Sequence, residues 1–197
     1  MGENSGSAEA LLSAGFRRVG ENFLSFHATL LKGEATEEHL HLASTGIARA
    51  VGDLGQLLRE HASQLRIGMP TDGYSRSGNH SLHQEFELLA KAVELTGRKL
   101  SEIPANVPSL EESDTLRPLA SLRERLVEGG RKFIVVSSLL GESDLILSEL
   151  PLDHGHLNRL EKRLAYQVKE LDDLLLITRE QVSVAVVELG LTLKKSP

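Results

Sequence analysis

Residues 154–194 read HGHLNRLEKRLAYQVKELDDLLLITREQVSVAVVELGLTLK. An apolar or small residue returns every three or four positions, at Leu157, Leu160, Leu164, Val168, Leu171, Leu175, Thr178, Val182, Ala185 and Leu189. That period collects them on one side of a helix. At 1.5 Å per residue the helix is about 60 Å long. Pro151 stops whatever precedes it, and Asp153 stands where an N-cap belongs.

The segment upstream carries the same spacing. Leu119, Leu122, Leu126, Phe133, Val136, Leu140, Leu147 and Leu150 keep one frame, with Gly129 and Ser143 filling two slots. This predicts a second long helix of about 36 residues, with Gly129-Gly130 and Gly141 as its bends. Folded back about residue 152, the two helices bring opposite charges level. Lys132 then meets Asp172, Arg131 meets Asp173, and Lys162 and Arg163 meet Glu142 and Asp144. Arg123 and Arg125 flank Glu180. The basic runs at 117–132 and 159–169 therefore read as interhelical pairs that set register, rather than as a nucleic-acid or lipid patch. Phe133, Val136, Leu140, Leu164, Leu171 and Leu175 are expected in the core.

Three shorter helices precede this hairpin. Leu12, Phe16, Val19, Phe23, Phe26 and Leu30 define the first, from about Ser7 to Lys32. Gly33 and Glu34 break it, and Thr36 offers a cap for the second. Leu40, Ala43, Ile47, Val51, Leu54, Leu58 and Leu65 carry that second helix, antiparallel to the first across a short turn. Leu82, Phe86, Leu89, Val93, Thr96, Leu100 and Ile103 mark the third, ended by Pro104 and Pro108. Ser109 and Glu112 have the form of a capping box. Residues 1–6 read as a tail and 7–194 as a single domain. The fold class is all-α, an elongated antiparallel bundle of about five helices with a long C-terminal hairpin.

Composition agrees. Of 197 residues, 40% are hydrophobic but only 4% aromatic, with no Trp. A sandwich or barrel needs more β-branched and aromatic residues. There is no Cys, which excludes disulfides, thiolate metal sites and a thiol nucleophile. The net charge of −6 gives no basic excess for phosphate backbones. No run of 18 apolar residues offers a membrane span, and no basic-then-apolar leader opens the chain. A cytoplasmic location is the expectation.

Sites of chemistry are sparse. His80 and His83, with Glu87 one turn on, form the best metal candidate, as a weak one beside a solvated helix start. Di-iron bundles need two Glu-x-x-His motifs, and Glu38 to His41 is unmatched. No phosphate-binding loop and no nucleophile elbow are present. Neither a catalytic residue nor a cofactor is expected. The stretch 68–79 is longer than a connection between helices requires. It carries Tyr74 and Arg76, residue types favoured at binding hot spots, and these two are the candidate partner-binding residues.

Two stretches are more apolar than one buried seam needs. These are Phe133–Val136 with Leu139 and Leu140, and the run from Val182 to Leu193. Either the last two helices are central to the bundle, the preferred reading, or their excess face binds something. The expected function is non-enzymatic: a protein-binding or scaffold bundle acting through exposed helix faces. Its partner is another protein or a second copy of the chain, as a homodimer with coiled-coil-like seams. One alternative is a sensory, cofactor- or metal-binding bundle built on His80, His83 and the 68–79 loop. Another is a peripheral membrane binder.

Overall fold

The computed structural model describes residues 6–31, 37–68, 82–103, 116–149 and 151–193. Five long helices account for nearly all of them: α1 (Ala8–Leu31), α2 (Glu37–His61), α3 (Leu82–Leu100), α4 (Leu116–Ser148) and α5 (His154–Leu193). A single 3-10 turn, Ala62–Gln64, extends α2. The fold is the all-α bundle that the spacing predicts. The long hairpin is 33 and 40 residues per arm. Asp153 caps α5, its carboxylate accepting from the His156 amide at 2.9 Å. That bond holds its pKa below the ordinary aspartate value. Thr36, Ser109 and Glu112 lie outside the described residues.

Neighbour relations close a ring. α1 packs on α2 and α4, α2 on α3, α3 on α5, and α5 on α4. Side-chain contacts fix the directions. Ser13 meets Ser137 and His27 meets Arg123, so α1 and α4 run antiparallel. Arg18–Asp53 does the same for α1 and α2, Arg59–Glu94 for α2 and α3, and Lys132–Glu170 for α4 and α5. A ring of five cannot alternate throughout. The exception falls between α3 and α5, which run parallel.

The core fills the ring. Phe16 of α1 meets Phe86 of α3 edge-on at 6.1 Å, and Phe133 of α4 at 5.9 Å. Phe23 stands 5.2 Å from Phe133. All four rings are fully buried, as are Val136, Leu140, Leu164, Leu171 and Leu175. The expected core positions are therefore core. Neither α4 nor α5 is central, however. Each is one stave among five, so part of the apolar excess faces outward. Val135, Leu145, Leu176, Ile177, Val184 and Val187 are all exposed.

The hairpin register differs from the expectation. Lys132 pairs with Glu170 and donates to Gln167 at 3.1 Å, rather than meeting Asp172. His156, not Lys162 or Arg163, takes Glu142, at 2.9 Å. Asp144 instead accepts from the Ser7 hydroxyl, and Arg125 pairs with Glu128 on its own helix rather than flanking Glu180. The helices thus cross over nearer residue 150 than 152. Core packing decides this, because a slip of half a turn would turn the leucine seam outward, whereas exposed pairs are worth under ~1 kcal/mol each. Asp172 turns toward α3, where burial, then Asp173 and Glu85, raise its pKa against the pull of Arg179.

The glycines of α4 do not break it. The helix is continuous from Leu116 to Ser148. Gly130 lies against Gly20 of α1, where an added Cβ would come within 3.0 Å of the Gly20 carbonyl oxygen. A Cβ on Gly20 would meet the Gly130 carbonyl oxygen at 2.8 Å and Ile134 at 2.7 Å. One heptad away, the Ser13 hydroxyl donates to the Ser137 carbonyl at 2.8 Å, and the Ser137 hydroxyl returns to the Ser13 carbonyl at 2.7 Å. One heptad the other way, a ring nitrogen of His27 donates to the Arg123 carbonyl at 3.0 Å. Small and polar residues at heptad spacing on both helices let the backbones approach closely.

One end of the bundle is tied by Glu9. Its side chain is buried, in the first turn of α1, where the helix dipole favours a carboxylate. Oε1 accepts from the amides of Arg66 at 2.6 Å and Ile67 at 3.1 Å. Arg66 in turn donates to the Leu147 carbonyl near the end of α4. Replacing Glu9 by alanine would strip two amides of their acceptor. The expected loss is about 1–3 kcal/mol in a denaturant titration. Glu9→Gln, which keeps one acceptor oxygen, should recover part of it.

Candidate functional site

α2, its 3-10 extension and α3 enclose a groove at the end of the bundle where the chain leaves α2. Leu58, Ala62 and Ala90 are buried and form its floor, and Leu88 forms a rim that is 48% exposed. Gln84, Glu87, Lys91, Glu94, Arg59 and Ser63 supply the polar edge. The volume is about 660 Å³, within the ~300–1,000 Å³ common for ligand sites. The two helices are clamped across it. Arg59 Nη2 stands 2.7 Å from Glu94 Oε1, as an ion pair rather than an aligned hydrogen bond. Gly55 makes the room, since a Cβ there would come within 2.9 Å of Glu94 Cγ.

The described chain stops at Gly68 and resumes at Leu82. Gly68 has φ +81°, a left-handed conformation that a side chain rarely tolerates. A Cβ there would lie 3.3 Å from Leu82 Cβ, so the two anchors of the segment touch. A connection between touching ends needs few residues, yet thirteen positions separate Gly68 from Leu82. Tyr74, Arg76 and His80 are among them and lie outside the described residues.

Of the candidate metal trio, His83 and Glu87 are described and His80 is not. The Nε2 of His83 donates to the Ile67 carbonyl at 3.4 Å, which commits that nitrogen to the backbone. Glu87 lines the groove instead. Among the described residues no three His, Cys, Asp or Glu converge as a metal site would require. The groove itself was not legible in sequence. Its trace there is Leu88 and Leu95, seven apart on the solvent face of α3 and both exposed.

A second surface runs along α5. Tyr166, Ile177, Val184 and Val187 lie opposite the buried Leu164, Leu171, Leu175 and Val182. Beside it, between α4 and α5, a shallower groove of about 240 Å³ is lined by Val135, Leu139, Lys162, Arg163, Tyr166 and Gln167. Glu170 ties its edge. The Lys132 ammonium and then the Tyr166 hydroxyl bind its carboxylate and hold its pKa low, and the same bond raises that of Tyr166. A depressed carboxylate supports the fold above its ordinary pKa, and that support fades as pH falls through the lowered value.

Among the described residues, no helix is long and apolar enough to cross a membrane. Compared with known proteins, the chain matches no family model, no curated protein and no solved structure.

Proposed function

We propose that this protein is a non-enzymatic interaction module whose α2–α3 groove takes an apolar anchor from another protein. The supporting observation is the groove itself: a buried aliphatic floor, an exposed Leu88 at its rim, and a mixed-charge edge. An amphipathic protein segment fits that chemistry. Its aliphatic side chains would cover Leu88, and its polar flank would meet Lys91 and Glu87. Tyr74 and Arg76 are proposed as further partner-binding residues, being of types favoured at binding hot spots. The protein is proposed to act in the cytoplasm. The test is a photo-crosslinking residue placed at Leu88. It should trap a discrete partner in host cells, while the same residue at Arg98, on α3 outside the groove lining, should not. Equal trapping at both positions would reject the groove.

A further inference from the structure

The outer face of α5 is built for a second copy of this chain. We propose that two molecules associate through antiparallel α5 helices, about a two-fold axis at residue 175. This rests on the reading that the protein works through exposed helix faces, but it uses a face other than the groove.

Charge order carries the inference. Along the outward face of α5 the cations Lys162 and Lys169 come first and the anions Glu180 and Glu188 last, with Asp173 between them. Apolar residues sit between and among them: Tyr166, Leu176, Ile177, Val184 and Val187, all exposed. A parallel pair would set Lys169 beside Lys169 and Glu180 beside Glu180. An antiparallel pair about residue 175 sets Lys162 opposite Glu188 and brings Lys169 within one residue of Glu180, each twice by symmetry. The same register lays Tyr166 on Val184, again twice. It also brings Val187 of one molecule to Arg163 of the other, at the mouth of the groove lined by Val135, Leu139 and Tyr166. Asp173, near the axis, stands one turn from Lys169 on its own helix, which offsets its charge. Apart from Asp173, which falls opposite Ile177, charged and apolar positions match in this register, and the match is self-complementary, as a two-fold interface requires.

The chain has no Cys, so single cysteines report the geometry without interference. Light scattering across a concentration series should show a dimer. Lys169→Glu and Glu180→Lys should each weaken it at least tenfold, and the two together should restore it. Under mild oxidation Leu176→Cys should crosslink to itself. Val184→Cys should not, since the register separates the two copies of that position by about 27 Å along the axis. Mixed Tyr166→Cys and Val184→Cys proteins should crosslink to each other. Circular dichroism checks that each variant is folded. A monomer at every concentration overturns the proposal. So does a dimer in which Val184→Cys crosslinks to itself, or one that ignores both charge reversals. None of these outcomes bears on the α2–α3 groove, which Leu88 tests separately.

Discussion

Phe133→Ala is expected to cost about 3–5 kcal/mol. The ring is fully buried where three helices meet, against Phe16 and Phe23 of α1, and Phe16 passes the contact on to Phe86 of α3. Truncation removes the ring's own transfer free energy and leaves a hole. The hole cannot close easily, because the neighbouring backbones of α1 and α4 already touch at Gly20 and Gly130. For a chain of this size the fall in Tm should be roughly 6–20 °C. Thermal unfolding followed by circular dichroism measures it. Phe133→Leu, which refills most of the volume, should lose much less. A Phe133→Ala protein as stable as the wild type would refute the ring-centre assignment.

Gly20→Leu should be similarly damaging, by about 3 kcal/mol or more. Ordinarily a larger residue stabilises a helix that holds glycine, by about 1 kcal/mol for alanine. Here even a methyl would come within 2.8 Å of the Gly130 carbonyl oxygen. That atom is backbone and cannot swing away, so α1 must lift off α4. The lift would also stretch the reciprocal Ser13–Ser137 hydrogen bonds. Gly52 is the control, since a Cβ there meets nothing within 4 Å. Gly52→Ala should therefore gain about 0.5–1 kcal/mol. The two substitutions should move the denaturation midpoint in opposite directions. If both raise it, the close approach of α1 and α4 is wrong.

These two sites show how far the sequence could be read. Phe133 is legible because burial writes itself as a period, and every expected core residue on α4 and α5 is buried. Gly20 and Gly130 were not legible as a pair. Each looks like a weak point in its own helix, and the signal that joins them is the matched heptad spacing of Ser13, Gly20 and His27 with Ser137, Gly130 and Arg123. Register failed for a related reason. Long side chains on α5 can reach more than one level, so charge matching allowed Lys132 either Asp172 or Glu170, and the leucine seam chose the second. The ring order was hidden altogether, because periodicity says which face of a helix is buried but not by which neighbour. Of the candidate site residues, Glu87 reaches the groove, whereas His83 is committed to the Ile67 carbonyl. The groove depends on α2 and α3 being adjacent, with Gly55 admitting Glu94 between them.

The most direct test of partner binding through the α2–α3 groove is quantitative affinity capture from host extract, comparing the wild type with Leu88→Asp. Leu88 is half exposed and outside the core, so the variant should keep its helical circular dichroism and its melting curve. At least one protein retained by the wild type should be lost or reduced at least tenfold on the variant, and should return with Leu88→Met. Identical retained sets on wild type and a folded Leu88→Asp protein would contradict the account.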